Sequence, residues 1–161
     1  MDAVYTDFQK AFDKVHHKVL LSKMKKLGFT VDAIGFCMSY FKDPKQYVAY
    51  KGYESKTYLC PSGVPQGNNM GPLLFLIFIN DITERITASK ILLYADDIKL
   101  YKSVRARADS EELQTDLNAM SKWNEDNSLS FNIKKCEKIT FSGKSTHSLI
   151  YHSLSHCLSL D

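Results

Sequence analysis

The stretch that most narrows what this chain can fold into is Ile91-Leu92-Leu93-Tyr94-Ala95-Asp96-Asp97-Ile98-Lys99-Leu100-Tyr101, in which two adjacent aspartates separate two apolar runs. Apolar runs of this length, bounded by turn-forming residues, read as short strands. Side chains alternate along a strand, and that alternation breaks where the chain turns, so Asp96 and Asp97 belong at a hairpin tip. Like charges held this close repel each other unless a cation neutralises them. Oxygen-only ligands favour Mg²⁺ or Mn²⁺. An Asp-rich turn without any chemistry is the commoner meaning of such a dipeptide taken alone.

A second acidic segment lies far upstream. Val4-Tyr5-Thr6-Asp7 begins as a strand ending in Asp7, and Phe8-Gln9-Lys10-Ala11-Phe12-Asp13 leads on into a helical pattern. An aspartate at a strand's C-terminal end can point into a cleft beside the hairpin tip, which would bring Asp7, Asp96 and Asp97 together from two segments. Paired divalent metals, about 3.5–4 Å apart, need such a set to clamp the attacking and leaving oxygens of a phosphoryl displacement. Asp13 reads instead as a helix N-cap. Between the acidic segments lies Ser62-Gly63-Val64-Pro65-Gln66-Gly67-Asn68-Asn69-Met70-Gly71-Pro72, a Gly/Pro-rich loop that allows close approach of backbone and ligand. Leu73 to Ile79 follows as a helix apolar on nearly every side, hence buried, and too short to span a bilayer.

Taken in order, these segments resemble the palm of a reverse transcriptase of the LINE-type, non-LTR retrotransposons, near the jockey-like branch. The resemblance is carried by Asp7-Phe8-x-x-Ala11-Phe12-Asp13, Gly63-Val64-Pro65-Gln66-Gly67 followed by Gly71-Pro72-Leu73-Leu74-Phe75, and Tyr94-Ala95-Asp96-Asp97. Downstream, Leu117 and Trp123, then Leu129, Asn132 and Lys135, match the family's spacing. It implies an α+β fold, a polymerase palm-like antiparallel sheet with helices packed on one face. It also implies two-metal transfer of a deoxynucleotide to a primer 3′-hydroxyl on an RNA template. Asp7, Asp96 and Asp97 would be catalytic and would hold Mg²⁺, or Mn²⁺ in its place, with the Phe8 carbonyl as a further oxygen ligand. Phe12 would sit beneath the sugar and exclude a 2′-hydroxyl, and Gln66 and Gly67 would contact the incoming nucleotide. Lys135, with Lys134 one residue out of register, would donate a proton to pyrophosphate.

The resemblance covers residues 1–142, read as the palm domain, and leaves residues 143–161 as a tail of uncertain structure. The family's usual Ser-x-Leu in the loop is replaced by Asn68-Asn69-Met70, which keeps polarity and volume and should weaken function rather than abolish it. No fingers, thumb or endonuclease pattern accompanies the palm, so the chain reads as fragmentary and the isolated chain is expected to polymerise poorly. An inactive relic that at most binds nucleic acid weakly is the alternative. A two-metal nuclease ranks behind it, for want of additional water-activating carboxylates or histidines.

Charge and cysteine usage bound the remaining classes. The net charge is only +3 over 161 residues, which excludes a strongly basic nucleic-acid arm. Lys14, His16, His17, Lys18, Lys23, Lys25 and Lys26 cluster near Asp7 and read either as a phosphate-tracking patch or as a solvated helix face. Cys37, Cys60, Cys136 and Cys157 are widely separated, which points to reduced, intracellular thiols and away from structural zinc. His147, His152 and His156 near Cys157 read as incidental, and no signal or membrane segment is legible.

Periodicity predicts a helix through Val15, Val19, Met24 and Leu27, stopped by Gly28, and a second along Val31, Ile34, Met38 and Phe41 with Thr30 as N-cap. Residues 46–50 and 56–60 read as a hairpin around Lys51-Gly52-Tyr53. Asp109-Ser110-Glu111-Glu112 reads as a capping box for a helix along Leu113, Leu117 and Met120 that ends near Asn127. Residues 129–132 and 138–142 read as closing strands.

Overall fold

The structure is a computed structural model that describes residues 1–42 and 44–141. In chain order its elements are β1 (Asp2–Thr6), α1 (His17–Lys26), α2 (Val31–Tyr40), β2 (Lys45–Gln46), β3 (Ala49–Tyr50), β4 (Tyr53–Glu54), β5 (Tyr58–Leu59), α3 (Met70–Ile79), β6 (Lys90–Tyr94), β7 (Asp97–Lys102), α4 (Arg107–Asp126) and β8 (Glu137–Thr140). Short 3₁₀ turns lie at Phe12–Lys14, Asn80–Arg85 and Ile133–Lys135. The chain forms two compact units, one from Met1–Ala11 together with the chain from Ile79 onward, the other from Phe12–Phe78. The expected tail at 143–161, with its histidines and Cys157, lies outside the described residues.

The first unit is built on a four-stranded antiparallel sheet in the order β6-β7-β1-β8. Strand alternation sorts its two faces. Val4, Ile98 and Leu100 are buried on one face, as are Leu113, Leu117, Met120 and Trp123 of α4. On the other face Tyr5, Lys99 and Leu92 stand opposite one another, with Leu92 and Tyr94 exposed. A sheet of the expected α+β kind, helix-covered on one side and open on the other, therefore forms.

Side-chain bonds from α4 hold the connection into β6. Asp116, 1% exposed, accepts the backbone N–H groups of Thr87 at 3.0 Å, Ala88 at 3.1 Å and Ser89 at 2.6 Å. Lys102 donates to the Ala88 carbonyl at 2.8 Å and pairs with Glu112 at 2.7 Å. Trp123 Nε1 donates to Asp81 at 2.9 Å, tying α4 to the 3₁₀ turn before that connection.

In the second unit, α1 ends as anticipated. Gly28 is at φ 82, its N–H reaches the Lys25 carbonyl, and the Phe29 N–H reaches Met24, a Schellman closure that only a left-handed residue permits. Thr30 Oγ1 accepts the Ala33 N–H and caps α2. The residue faces of α2 differ from expectation: Cys37 and Phe41 are buried, whereas Val31 and Met38 are exposed, because a largely apolar sequence carries too little contrast to define one face. The hairpin forms around Lys51 and Gly52, both at positive φ, but as two short ladders, β3 with β4 and β2 with β5. α3 buries Leu74, Phe75 and Phe78 yet leaves Leu73 52% and Leu76 51% exposed, so it is not enclosed on all sides.

Two helix starts also depart from the sequence reading. α1 begins at His17 behind a 3₁₀ turn, so Asp13 caps nothing there. α4 begins at Arg107, which makes Asp109 the residue reaching back to the Arg105 and Ala106 N–H groups rather than the N-cap itself. Of the expected strand at 129–132 only a single bridge between Phe8 and Phe131 forms. β8 occupies Glu137–Thr140, and Ser142 is outside the described residues.

Burial by itself pushes the Asp116 carboxyl up, but the N–H groups of Thr87, Ser89 and Ala88 outweigh it and hold the group below its ordinary value. A depressed carboxyl stabilises the fold fully above the unfolded-state value of about 3.9 and loses that contribution as pH falls through the folded-state value. Asp116→Asn should cost about 1–3 kcal/mol in urea unfolding near neutrality, since an amide leaves buried donors unpaired. The gap between wild type and variant should shrink from about pH 5 to pH 2. A gap independent of pH would contradict this account of the carboxylate.

Candidate active site

β1 stops at Thr6, and Asp7 is the next residue. The register pairs Thr6 with Ile98 and Tyr94 with Asp97, so the end of β1 and the β6–β7 hairpin tip lie at the same end of the sheet. Asp97 opens β7 and Asp96 lies in the turn, as expected. Ala95 completes that turn at φ 53, a left-handed conformation that costs an ordinary residue roughly 1–2 kcal/mol. Asp7 continues the alternation of Ala3 and Tyr5, which places it on the open face with Asp97 and Lys99.

An open cavity of about 430 Å³ lies over this end of the sheet, lined by Tyr5, Asp7, Tyr94, Asp97, Lys99 and Lys135 among others. Lys99 Nζ stands 5.0 Å from the Tyr5 ring centroid and 5.6 Å from that of Tyr101, a cation over two aromatic faces. Nothing in the residue spacing flagged Lys99, because the register of β1 against β7 is needed to bring the Tyr5 ring to it.

Phe8 has separate roles for its side chain and its backbone. The ring is buried, stacked on Phe131 at 5.2 Å and tilted against Trp123 at 6.3 Å. Hydrogen bonds from Gln9 N–H to Ser130 and from Asn132 N–H to the Asp7 carbonyl, both 2.8 Å, flank the Phe8–Phe131 bridge. In that antiparallel pattern the bridged residues do not bond to each other, so the Phe8 carbonyl is turned away from residues 130–132.

Lys135, in the 3₁₀ turn at Ile133–Lys135, donates to Asp7 Oδ2 at 2.6 Å across a separation of 128 positions. The hydrogen bond with Asp7 and its charge hold the ammonium above the ordinary lysine value against the opposing desolvation, with lesser contributions from the fields of Asp96 and Asp97. Among the described residues, no group of three or more Asp, Glu, His or Cys side chains is gathered to hold a metal ion. Asp7 and Asp97 line the same cavity, and the free charge of Asp7 is met by the Lys135 ammonium.

Phe12, Gln66 and Gly67 belong to the second unit. Phe12 is half-buried and stacks on Phe75 at 4.5 Å. Gln66 Nε2 donates to the Asp13 carboxylate at 3.2 Å, giving Asp13 a role as loop support, and Gly67 sits at φ 84. The loop is tied down by Gly63 N–H to Val15, Val64 N–H to Phe12, and His17 Nε2 within 2.7 Å of the Gly63 carbonyl. His17 also stacks on Phe41, so this member of the basic cluster is packed rather than free in solvent. A Cβ at Gly71 would fall 2.0 Å from the Pro65 carbonyl oxygen, which explains glycine at the start of α3.

Asn68 Oδ1 accepts the Met70 and Gly71 N–H groups at 3.0 and 2.9 Å, capping α3. The departure from the family's serine thus replaces one capping oxygen by another. Asn68→Ala should destabilise the second unit by about 1 kcal/mol, and Asn68→Ser should stay within a few tenths of wild type, as read by urea unfolding. Equal losses for both variants would rule out capping as the reason for a polar residue here.

Comparisons with known proteins place this arrangement. The family described as reverse transcriptase (RNA-dependent DNA polymerase) matches residues 3–154. The RNA-directed DNA polymerase from mobile element jockey of Drosophila melanogaster is 32% identical over 148 residues, covering 87% of this chain and 16% of that protein. Its counterpart from Drosophila funebris is 33% identical over 145 residues, covering 85% of this chain and likewise 16% of the relative. The chain therefore spans about one-sixth of the length of these relatives. A solved structure of apo telomerase from Candida tropicalis, truncated from its C-terminal domain, matches 90% of this chain and 31% of its own with a TM-score of 0.69 at 14% identity, a likeness of fold.

Proposed function

Since this chain belongs to the reverse transcriptase (RNA-dependent DNA polymerase) family, we propose that it is the palm of an RNA-directed DNA polymerase, moving a deoxynucleotide from its triphosphate to a primer 3′-hydroxyl on an RNA template. The observation that carries this reading is the end of the sheet itself. Asp7 follows the last residue of β1, beside the turn bearing Asp96 and Asp97, on an open face. In the reaction the primer 3′-oxygen bonds to the α-phosphorus as pyrophosphate leaves.

Asp7, Asp96, Asp97 and the Phe8 carbonyl would hold Mg²⁺, or Mn²⁺ in its place. The donor set is all oxygen, and Mg²⁺ commonly takes one or two carboxylates and completes its shell with water and substrate phosphates, so no closed protein cage is required. Bound there, the metal would lower the pKa of the attacking hydroxyl and neutralise charge on the triphosphate. Lys135 would supply a proton to the departing pyrophosphate, Phe12 would lie under the sugar, and Gln66 and Gly67 would contact the incoming nucleotide. Lys99, over Tyr5 and Tyr101 on the open face, supports contact with the phosphate backbone of the primer–template duplex through charge. The unbridged Cys37, Cys60 and Cys136 suit an intracellular setting, and no helix among the described residues is long and apolar enough to cross a membrane.

The test uses a chimera in which this chain replaces the matching segment of the jockey-type relative. Mg²⁺-dependent extension of a primed RNA template is expected, and Asp96→Asn should reduce it to background. Extension that survives Asp96→Asn would sink the assignment. In the same chimera Phe12→Ala should raise ribonucleotide incorporation relative to deoxyribonucleotide; unchanged discrimination would return Phe12 to its packing role against Phe75.

A further inference from the structure

Asp7 is the carboxylate on which the proposed metal site leans most, and its Oδ2 is already occupied by the Lys135 ammonium at 2.6 Å. The two side chains are unequally exposed, 63% for Lys135 against 13% for Asp7. The backbone around them is doubly fastened, by the Asn132 N–H bond to the Asp7 carbonyl and by the Phe8–Phe131 stack. Lys135 can therefore leave Asp7 by changing rotamer on its solvent side, without any movement of the strand or the 3₁₀ turn. We propose that Lys135 is the resident counter-cation of Asp7, and that a divalent ion and this ammonium compete for the carboxylate, so that metal loading and Lys135 release are a single exchange.

This rests on the polymerase reading and deepens it. A divalent ion on either oxygen of Asp7 would stand close to the ammonium, and two cations held that near repel each other strongly. While the site is empty of metal, Lys135 offsets the repulsion among Asp7, Asp96 and Asp97. That agrees with the direction in which Asp7, Asp96 and Asp97 act on the Lys135 charge. When metal takes Asp7, the displaced ammonium is freed beside the place where phosphate groups would bind. A lysine serving as proton donor would thus become available only after the metal had arrived.

The experiment is Mn²⁺ binding to the 161-residue chain, read by loss of the free-ion electron paramagnetic resonance signal, with folding checked by circular dichroism. Lys135→Gln should tighten Mn²⁺ binding about two- to five-fold, the range an exposed ion pair can impose. Lys135→Arg, which keeps the pair, should bind as wild type does. Lys134→Gln removes the same formal charge from the neighbouring residue and should leave the affinity within about 1.5-fold, since an exposed charge without a close partner is well screened. Unchanged or weaker binding by Lys135→Gln, or equal tightening by Lys134→Gln, would overturn the exchange. Asp7→Asn separates the two readings: it should lose Mn²⁺ binding, and if it binds as wild type does, the metal assignment itself fails.

Discussion

The antiparallel pairing of β1 with β7 is the constraint on which the chemistry of this molecule depends. A strand ladder fixes which residues stand opposite one another, and slipping it by one position would turn every side chain to the other face. With Thr6 opposite Ile98, Asp7 emerges at the hairpin-tip end of the sheet and on the open side. With Tyr94 opposite Asp97, the hairpin can turn only through Ala95 and Asp96, which accounts for the left-handed Ala95. The Phe8–Phe131 bridge then sets the direction of the Phe8 carbonyl. The arrangement of this end of the sheet follows from backbone hydrogen bonding before any side chain is considered.

Two aspartates of the first unit show how surroundings separate structure from chemistry. Asp116 is sealed against backbone N–H groups of the Thr87–Ser89 loop and serves to hold the entry into β6. Those donors are fixed, so the carboxylate has no freedom to accept anything else. Asp7 is held by one mostly exposed ammonium. A partner on a flexible stem can be exchanged at little cost, and an exchangeable carboxylate is what a site for transient cations and phosphates requires. The same residue type is thus a fixed clamp in one place and the partner of a single exposed side chain in the other.

Much of this was legible in the order of residues. The hairpin around Asp96 and Asp97, the strand ending at Asp7, the Gly28 stop of α1, the Thr30 cap of α2 and the end of α4 at Asn127 all rest on local rules. What failed to read correctly failed for physical reasons. Asp13 looks like a cap but lies in a 3₁₀ turn and supports Gln66, a partner far along the chain. Asp109 looks like an N-cap but is the residue that reaches back, because α4 begins at Arg107 and leaves the Arg105 and Ala106 N–H groups for it to accept. The uniform apolarity of α2 and α3 left no periodic contrast from which to tell covered from exposed faces.

By itself the sequence determined the strand ending at Asp7, the turn carrying Asp96 and Asp97, and membership of the reverse transcriptase family, because these depend on nearest neighbours and on ordered motifs. Only the tertiary structure decided that Lys135 sits on Asp7 and that Lys99 lies over Tyr5 as well as Tyr101. Those outcomes depend on strand register and on residues up to 128 positions apart, and no local spacing rule carries that information. An ion pair or a cation over a ring forms when folding happens to bring two groups to the same few cubic ångströms, and only the fold specifies which groups those are.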